Sequence, residues 1–425
     1  MMRFGFAVDR IDERIPGVDL PLMSVSQTHG VIRRSELTDK PHRADSLDIY
    51  KVCRQDDIVF NKMSIRSGAM GVAREDGLVT YHYEVMRPRE WVDSRFIAYL
   101  MKSNWFTGEL IKRERGIGAG GQGNVRTTEV PFSVLKTIDS YIPEAAEQRA
   151  ISDYLDQETA QIDALVAKQE EFIGLLRERR SAVRDSALTG GLNGIGASKR
   201  TGNVWLPILP SGWQAVATRR LLSFGPSNGV SPEAGRVGDM RSLSIGAVRD
   251  GRVNASEDVT KYVDRDSLRD VSQLLLHYGD VLIVRGNGNI NLVGRAGLVG
   301  HEFAQEEYIY PDLLIRIRTT ADMLPEFFVA AFDTPTSRAQ IELLARTTVG
   351  TFKISAADVR SIVLPCPPID EQHAIIAHIS QQTSRIDTLI AKAEEHIALA
   401  KERRSALITA AVTGQLDIRT ARKAG

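Results

Sequence analysis

Two glycine-rich loops, Arg285-Gly286-Asn287-Gly288 and the stretch 116–123, are the first candidates for a chemical role in this 425-residue chain. Backbone N–H groups in such loops can cradle a phosphate. Neither loop spells G-x-G-x-x-G between a strand and a helix, and no G-K-[ST] follows, so nucleotide binding is not expected. The eight histidines include no H-E-x-x-H and no paired metal spacing; His373, His378 and His396 fall on a helix, where a surface or seam role is expected. Cys53 and Cys366 are too few and too far apart for a disulfide framework or a zinc site. No Asn-Pro-Pro-Tyr or Asp-Pro-Pro-Tyr stretch, of the kind amino-methyltransferases use, occurs, and no nuclease-like carboxylate–lysine cluster. The expectation is therefore no catalytic residue, no metal and no cofactor on this chain.

The elements that must hold these loops come twice. The segment Glu147–Leu192 recurs 224 residues later as Glu371–Leu416, without a gap and with roughly half of the paired residues identical. In the first copy Leu155, Ile162, Leu176 and Val183 fall on one stripe, with Ile151, Leu165 and Phe172 beside it. Ile375, Ile379, Ile386, Leu389, Ala400 and Leu407 repeat the stripe in the second. This spacing predicts a long helix for each copy, about 60 Å at about 1.5 Å per residue. A lone helix cannot bury such a seam, so each copy is expected to pack on the other. Thr189-Gly190 and Thr413-Gly414 predict left-handed glycine ends for both helices. The alternative is a pair of core helices inside two larger domains, which the arginines and glutamines punctuating the stripe disfavour.

Charge is balanced, 54 basic residues against 54 acidic, so any nucleic-acid surface must come from local patches. No apolar run approaches 18 residues and no signal-peptide core opens the chain, which predicts a soluble, cytoplasmic protein with no membrane partner.

The length suits two domains plus the helices. The expected order is a first domain at 1–146, a first helix at 147–192, a flexible linker at 193–206, a second domain at 207–370, a second helix at 371–416 and a tail at 417–425. The two domains echo each other. Asp56-Asp57 and Gly279-Asp280 each read as a turn feeding a buried strand. Each domain then carries a polar loop (61–71; 285–294), an alternating strand (78–85; 308–317), a helical stretch (94–112; 325–344) and a glycine/threonine loop (116–128; 347–353). Ser355–Asp358 reads as a capping box. Each domain is thus expected to be mixed α/β.

Leu209-Pro210-Ser211-Gly212-Trp213, the Gly279-Asp280 strand, the Thr348-Val349-Gly350-Thr351-Phe352-Lys353 loop, Pro365, Pro367 and Pro368, and a Glu-Gln pair opening a long helix follow one another in an order that resembles the DNA specificity subunit of type I restriction-modification systems. The resemblance covers nearly the whole chain, twice over. It implies two α/β target-recognition domains separated by two long, antiparallel, coiled-coil-like helices in a pseudo-twofold tandem repeat. It also implies a bipartite, asymmetric DNA target, with the helices setting its gap and docking the partners. Those partners would be double-stranded DNA, two modification subunits using S-adenosylmethionine and, in a full complex, two restriction subunits using ATP and Mg. One departure is that the first half lacks Leu-Pro-x-Gly-Trp, leaving it about a dozen residues short; either its opening strand is lost or translation starts upstream.

With that reading, the polar loops become the DNA-contacting candidates, because arginine can read guanine and asparagine adenine. Asn61, Lys62, Ser64 and Arg66 form one set; Arg285, Asn287, Asn289, Asn291 and Arg295 form the other. Arg33, Arg34, Arg126 and Lys353 are candidate phosphate contacts. The alternative for each is an ordinary solvated turn. On the helices, Lys168, Glu171, Arg179 and Arg180 and their second copies Lys392, Glu395, Arg403 and Arg404 are the docking candidates, against a solvated face with weak i, i+4 pairs. A coiled-coil scaffold with two α/β protein-binding modules is the competing reading of the whole chain.

Overall fold

The computed structural model describes residues 1–39, 47–115, 130–192, 196–231, 233–234, 240–268, 270–304, 306–348 and 350–418. These form two compact units: residues 1–172 with 392–425, and residues 173–391. Each unit therefore takes part of each long helix.

The first long helix runs Ala145–Gly190 and the second Ile369–Val412, each starting two residues before its expected bound and ending before the expected Leu192 and Leu416. They are antiparallel. In the first unit Asp163 meets Arg404 and Glu170 meets Lys401; in the second Arg180 meets Asp387. The seam includes Ile151, Leu155 and Ile162 in the first unit and Ile173, Leu176, Ile375 and Ile386 in the second, all buried, so Leu155, Ile162 and Leu176 of the expected stripe are in place. Leu165, Phe172 and Leu389, expected in or beside the seam, are instead 49%, 43% and 45% exposed, because the buried face of the first helix extends from the Leu155–Ile162–Leu176 stripe toward Thr159 and Ile173 rather than toward the Leu165 side. Gly414 ends the second helix at φ +75°, as expected. At the first, the left-handed residue is Gly191 (φ +72°), one position later than predicted.

In the first unit an antiparallel sheet orders Val8–Ile11, Tyr83–Pro88, Ile58–Asn61 and Met70–Val72. The Ser94–Lys102 and Asn104–Arg115 helices contribute Phe96, Leu100, Phe106 and Leu110 to a core shared with Ile151, Leu155 and Ile408 of the long helices. In the second unit a six-stranded sheet runs Leu222–Asn228, Leu314–Thr319, Val281–Val284, Ala296–Leu298, Arg252–Val253 and Val248–Arg249. Pro325–Phe332 and Pro335–Leu344 pack its apolar face with Trp213, Leu188 and Ile375.

The internal echoes are physical. Asp57 is buried and receives Arg54 N and both donors of Arg87; Asp280 is buried and receives His277 N and Arg318. Each preceding residue, Asp56 or Gly279, has positive φ. A turn of the same shape, locked by a buried carboxylate, thus opens the central strand of each unit. The strands expected at 78–85 and 308–317 are each broken in two, into Gly77–Val79 and Tyr83–Pro88, and into Tyr308–Ile309 and Leu314–Thr319. The capping box at Ser355 is present.

Two expectations change. Part of the flexible linker is ordered: Ser198–Arg200 pair with Ile208–Pro210, and Asn203 Oδ1 accepts from Trp205 N and Leu206 N, closing a hairpin over the buried Leu206 and Leu209. The first unit also has a two-residue counterpart of the second unit's opening strand. Met2–Arg3 pair with Asp139–Ser140 as Val216 and Ala217 pair with Leu364 and Val363.

Candidate nucleic-acid interface

In the second unit the two polar loops are one structure. Gly286–Asn287, Thr351–Lys353 and Arg346–Thr348 form a three-stranded sheet in which Gly286 lies opposite Lys353 and Lys353 opposite Arg346. Gly286 permits the approach, since a Cβ there would lie 3.1 Å from Lys353 Cγ and 3.2 Å from Leu313 Cδ2. Arg285 Nη1 donates to Asp312 O at 3.2 Å and Arg295 Nε to Asn291 O at 3.2 Å. These are neutral acceptors. Among the described residues, Arg285, Arg295, Arg346 and Lys353 have no carboxylate partner, so this loop pair and its flanks carry four cations without compensation. This suits a polyanion. Arg346 was not singled out from the sequence, although it immediately precedes the glycine/threonine loop that was.

The asparagines behave differently. Asn287 Oδ1 accepts from Asn289 N at 2.9 Å, and Asn289 Oδ1 from Asn291 N at 3.0 Å. In the first unit Asn61 Oδ1 accepts from Met63 N at 3.0 Å. Each carbonyl that adenine readout would need is holding its own turn, so these residues first shape the loops. Asn291 is exposed beside Arg295.

In the first unit Asn61, Lys62, Ser64 and Arg66 do fall in one loop, closed by a short helical turn at Ile65–Ser67 and by Gly68 at φ +81°. Arg34, Lys62 and Arg66 make contacts within the protein. Arg33 stands apart at the base of the hairpin Met23–Ser26/Gly30–Arg33, gripping Glu75 at 2.6 Å. That bond holds the Glu75 carboxyl below the ordinary carboxylate range and raises Arg33. Its guanidinium is thereby partly neutralised, which weakens it as a phosphate contact. Arg126 lies outside the described residues.

On the helices Lys168, Glu171, Arg179, Lys392, Glu395 and Arg403 are exposed. Arg180 and Arg404 are spent between the helices, on Asp387 and Asp163. Among the described residues no helix is long and apolar enough to cross a membrane, and no group of three or more His, Cys, Asp or Glu could hold a metal.

No protein-family profile matches the chain. It is 28% identical over 335 residues to the type I restriction enzyme EcoKI specificity subunit of Escherichia coli K12, covering 78% of this chain and 68% of that protein. To the StySPI specificity subunit of Salmonella potsdam it is 22% identical over 334 residues, covering 78% and 67%. The chain is homologous to type I specificity subunits. Its fold agrees: the HsdS subunit of Thermoanaerobacter tengcongensis matches with a TM-score of 0.56 at 15% identity, covering 98% of this chain and 96% of that one. A chain from a structure of type I R-M complex assembly and conformational transition matches at 0.66 with 18% identity, covering 98% and 97%. The fold of the chain is that of these two structures.

Proposed function

We propose that this chain is the DNA-recognition subunit of a cytoplasmic type I restriction-modification complex, reading a bipartite, asymmetric target with one unit on each half-site. The observation that carries this is the set of uncompensated cations Arg285, Arg295, Arg346 and Lys353 on and beside one loop pair, in a unit whose plan recurs in the other half of a specificity-subunit homologue. Phosphate contacts from these groups position the duplex, and side chains at the loop tips read bases. The long helices carry the partners. Leu165 and Leu175 are exposed on the first, and their counterparts Leu389 and Leu399 on the second, beside the matching charges Lys168 and Lys392. Two equivalent surfaces suit two copies of one modification subunit, which bring S-adenosylmethionine and adenine methylation; two restriction subunits bring ATP, Mg and cleavage.

Comparing the methylome of the host with that of a strain lacking this gene tests the reading. A two-part methylated motif that disappears with the gene is expected; an unchanged methylome rejects it. In the same assay Asn287→Asp, which keeps the turn's acceptor, should preserve the motif, whereas Asn287→Ala should relax one half-site.

A further inference from the structure

We propose that the tip of the hairpin Met23–Ser26/Gly30–Arg33 is the element of the first unit that enters the major groove, and that Gln27 reads an adenine there. This rests on the DNA-recognition reading above and adds a residue to it.

The hairpin is a two-stranded sheet of its own, with Gln27, Thr28 and His29 exposed at its tip. A two-stranded ribbon fits the major groove of B-DNA. Its tip is tied to the loop that already carries Asn61, Lys62, Ser64 and Arg66. Gln27 Nε2 donates to Ser67 Oγ at 2.9 Å. The base of the tip is pressed on the strand that follows that loop: a Cβ on Gly71 would lie 2.9 Å from both Gly30 Cα and Val31 N, so only glycine allows the contact. Segments about forty residues apart thus form one rigid polar surface.

The chemistry of Gln27 is fixed by its partner. Ser67 Oγ donates its single proton to Ser64 O at 2.9 Å, so toward Gln27 it can only accept. The amide must therefore present its NH2 to Ser67, which leaves the carbonyl oxygen and the second N–H uncommitted. An acceptor and a donor on one amide are what the N6 and N7 of adenine require. The turn itself does not draw on Gln27, because Ser26 Oγ accepts from Thr28 N at 3.2 Å and His29 N at 3.3 Å. Here Gln27 differs from Asn61, Asn287 and Asn289, whose carbonyl oxygens are consumed by their own loops.

The test is binding of the full chain, assembled with its methyltransferase partner, to duplexes in which each base pair of the methylated motif is replaced in turn. Replacement of a base read by a bidentate amide should weaken wild-type binding about tenfold or more. In Gln27→Ala that penalty should vanish at a single A·T pair in one half-site, with every other penalty kept, and Gln27→Glu should turn the preference at that pair toward cytosine. Ser67→Ala should reduce the same penalty and no other. Retained penalties at all pairs would overturn the proposal. So would loss across a whole half-site or of all binding, since the tip would then support the surface without reading it. Undiminished discrimination in the other half-site reports that each variant is folded. A wild-type complex that discriminates at no pair would instead sink the DNA-recognition reading itself.

Discussion

Arg404 on the second long helix grips Asp163 on the first through Nε at 2.9 Å and Nη2 at 3.2 Å, and their counterparts 224 residues away, Arg180 and Asp387, meet at 2.9 Å. The same two positions of the repeat therefore pair in both directions. Identical charges in both copies are explained here by contact between the copies, without a partner. With side chains 35% to 57% exposed, each pair is worth no more than about 1 kcal/mol. Its main effect is on register. Arg404→Asp should destabilise the fold slightly in urea unfolding, and the exchange Arg404→Asp with Asp163→Arg should restore it; failure of the exchange to restore stability would mean the pair is incidental.

A second equivalence is buried. Gln148 Oε1 accepts from Asp93 N at 2.9 Å while Nε2 donates to Pro143 O at 2.7 Å; Gln372 Oε1 accepts from Leu324 N at 2.8 Å while Nε2 donates to Asp322 O at 2.8 Å and Pro367 O at 2.9 Å. One carboxamide ties each long helix to the chain leading into its unit's packed helices. Gln148→Ala or Gln372→Ala should each cost about 1–3 kcal/mol, because buried backbone groups lose their partners. Glutamate in place of either should also destabilise, since it cannot donate to the proline carbonyl. Chemical denaturation that finds either alanine variant as stable as the wild type would reject this anchoring role.

These two contacts show what the sequence made legible. The repeat, the helices and the Glu-Gln opening were visible because a gapless duplication keeps the residues that touch each other in register. Leu155, Ile162 and Leu176 were legible because sevens mark the buried stripe, whereas Leu165 and Phe172 were misplaced because the pattern does not say which flank of that stripe is covered; burial of Thr159 and Ile173 decides it only in three dimensions. The polar loops were found by composition, yet the union of the Arg285 loop with Lys353 depends on pairing across some sixty-five residues. The hairpin tip at Gln27 carried no composition signal, and its bond to Ser67 together with the packing of Gly30 on Gly71 places it on that surface.

The first unit also contains an acid-sensitive cluster. Glu84 and Lys51 are buried and bonded at 3.1 Å, with Arg10 donating to Glu84 at 3.0 and 2.9 Å. Burial pushes the Glu84 carboxyl up, but the bonds from Arg10 and Lys51 outweigh it and leave it below the ordinary carboxylate range. Since the folded value lies below the unfolded one, the stability it supplies is complete above that range and is lost as pH falls through it toward the folded value. Between about pH 6 and about pH 3, wild-type stability should fall more steeply than that of Glu84→Gln. Parallel profiles would show that this carboxylate does not govern the acid response.

The helix pair can be tested as a ruler without touching any loop. Lengthening one helix alone would shear the Arg180–Asp387 and Arg404–Asp163 register, so four residues should be inserted in both, after Glu171 and after Glu395, on exposed positions at matching heights of the antiparallel pair. Four residues add about 6 Å of helix, close to two base-pair steps. The hairpin tip at Gln27 and the cations on and beside the Arg285 loop pair are unchanged by the insertion. If the helices set the distance between the two reading surfaces, the altered protein should direct methylation to the same two half-sites with a gap longer by about two base pairs. Glycines added only at 194–196 should leave the gap as it was. A gap unmoved by the double insertion, in a strain that still methylates both half-sites, would show that the distance is set elsewhere and that the helices serve only to bind partners.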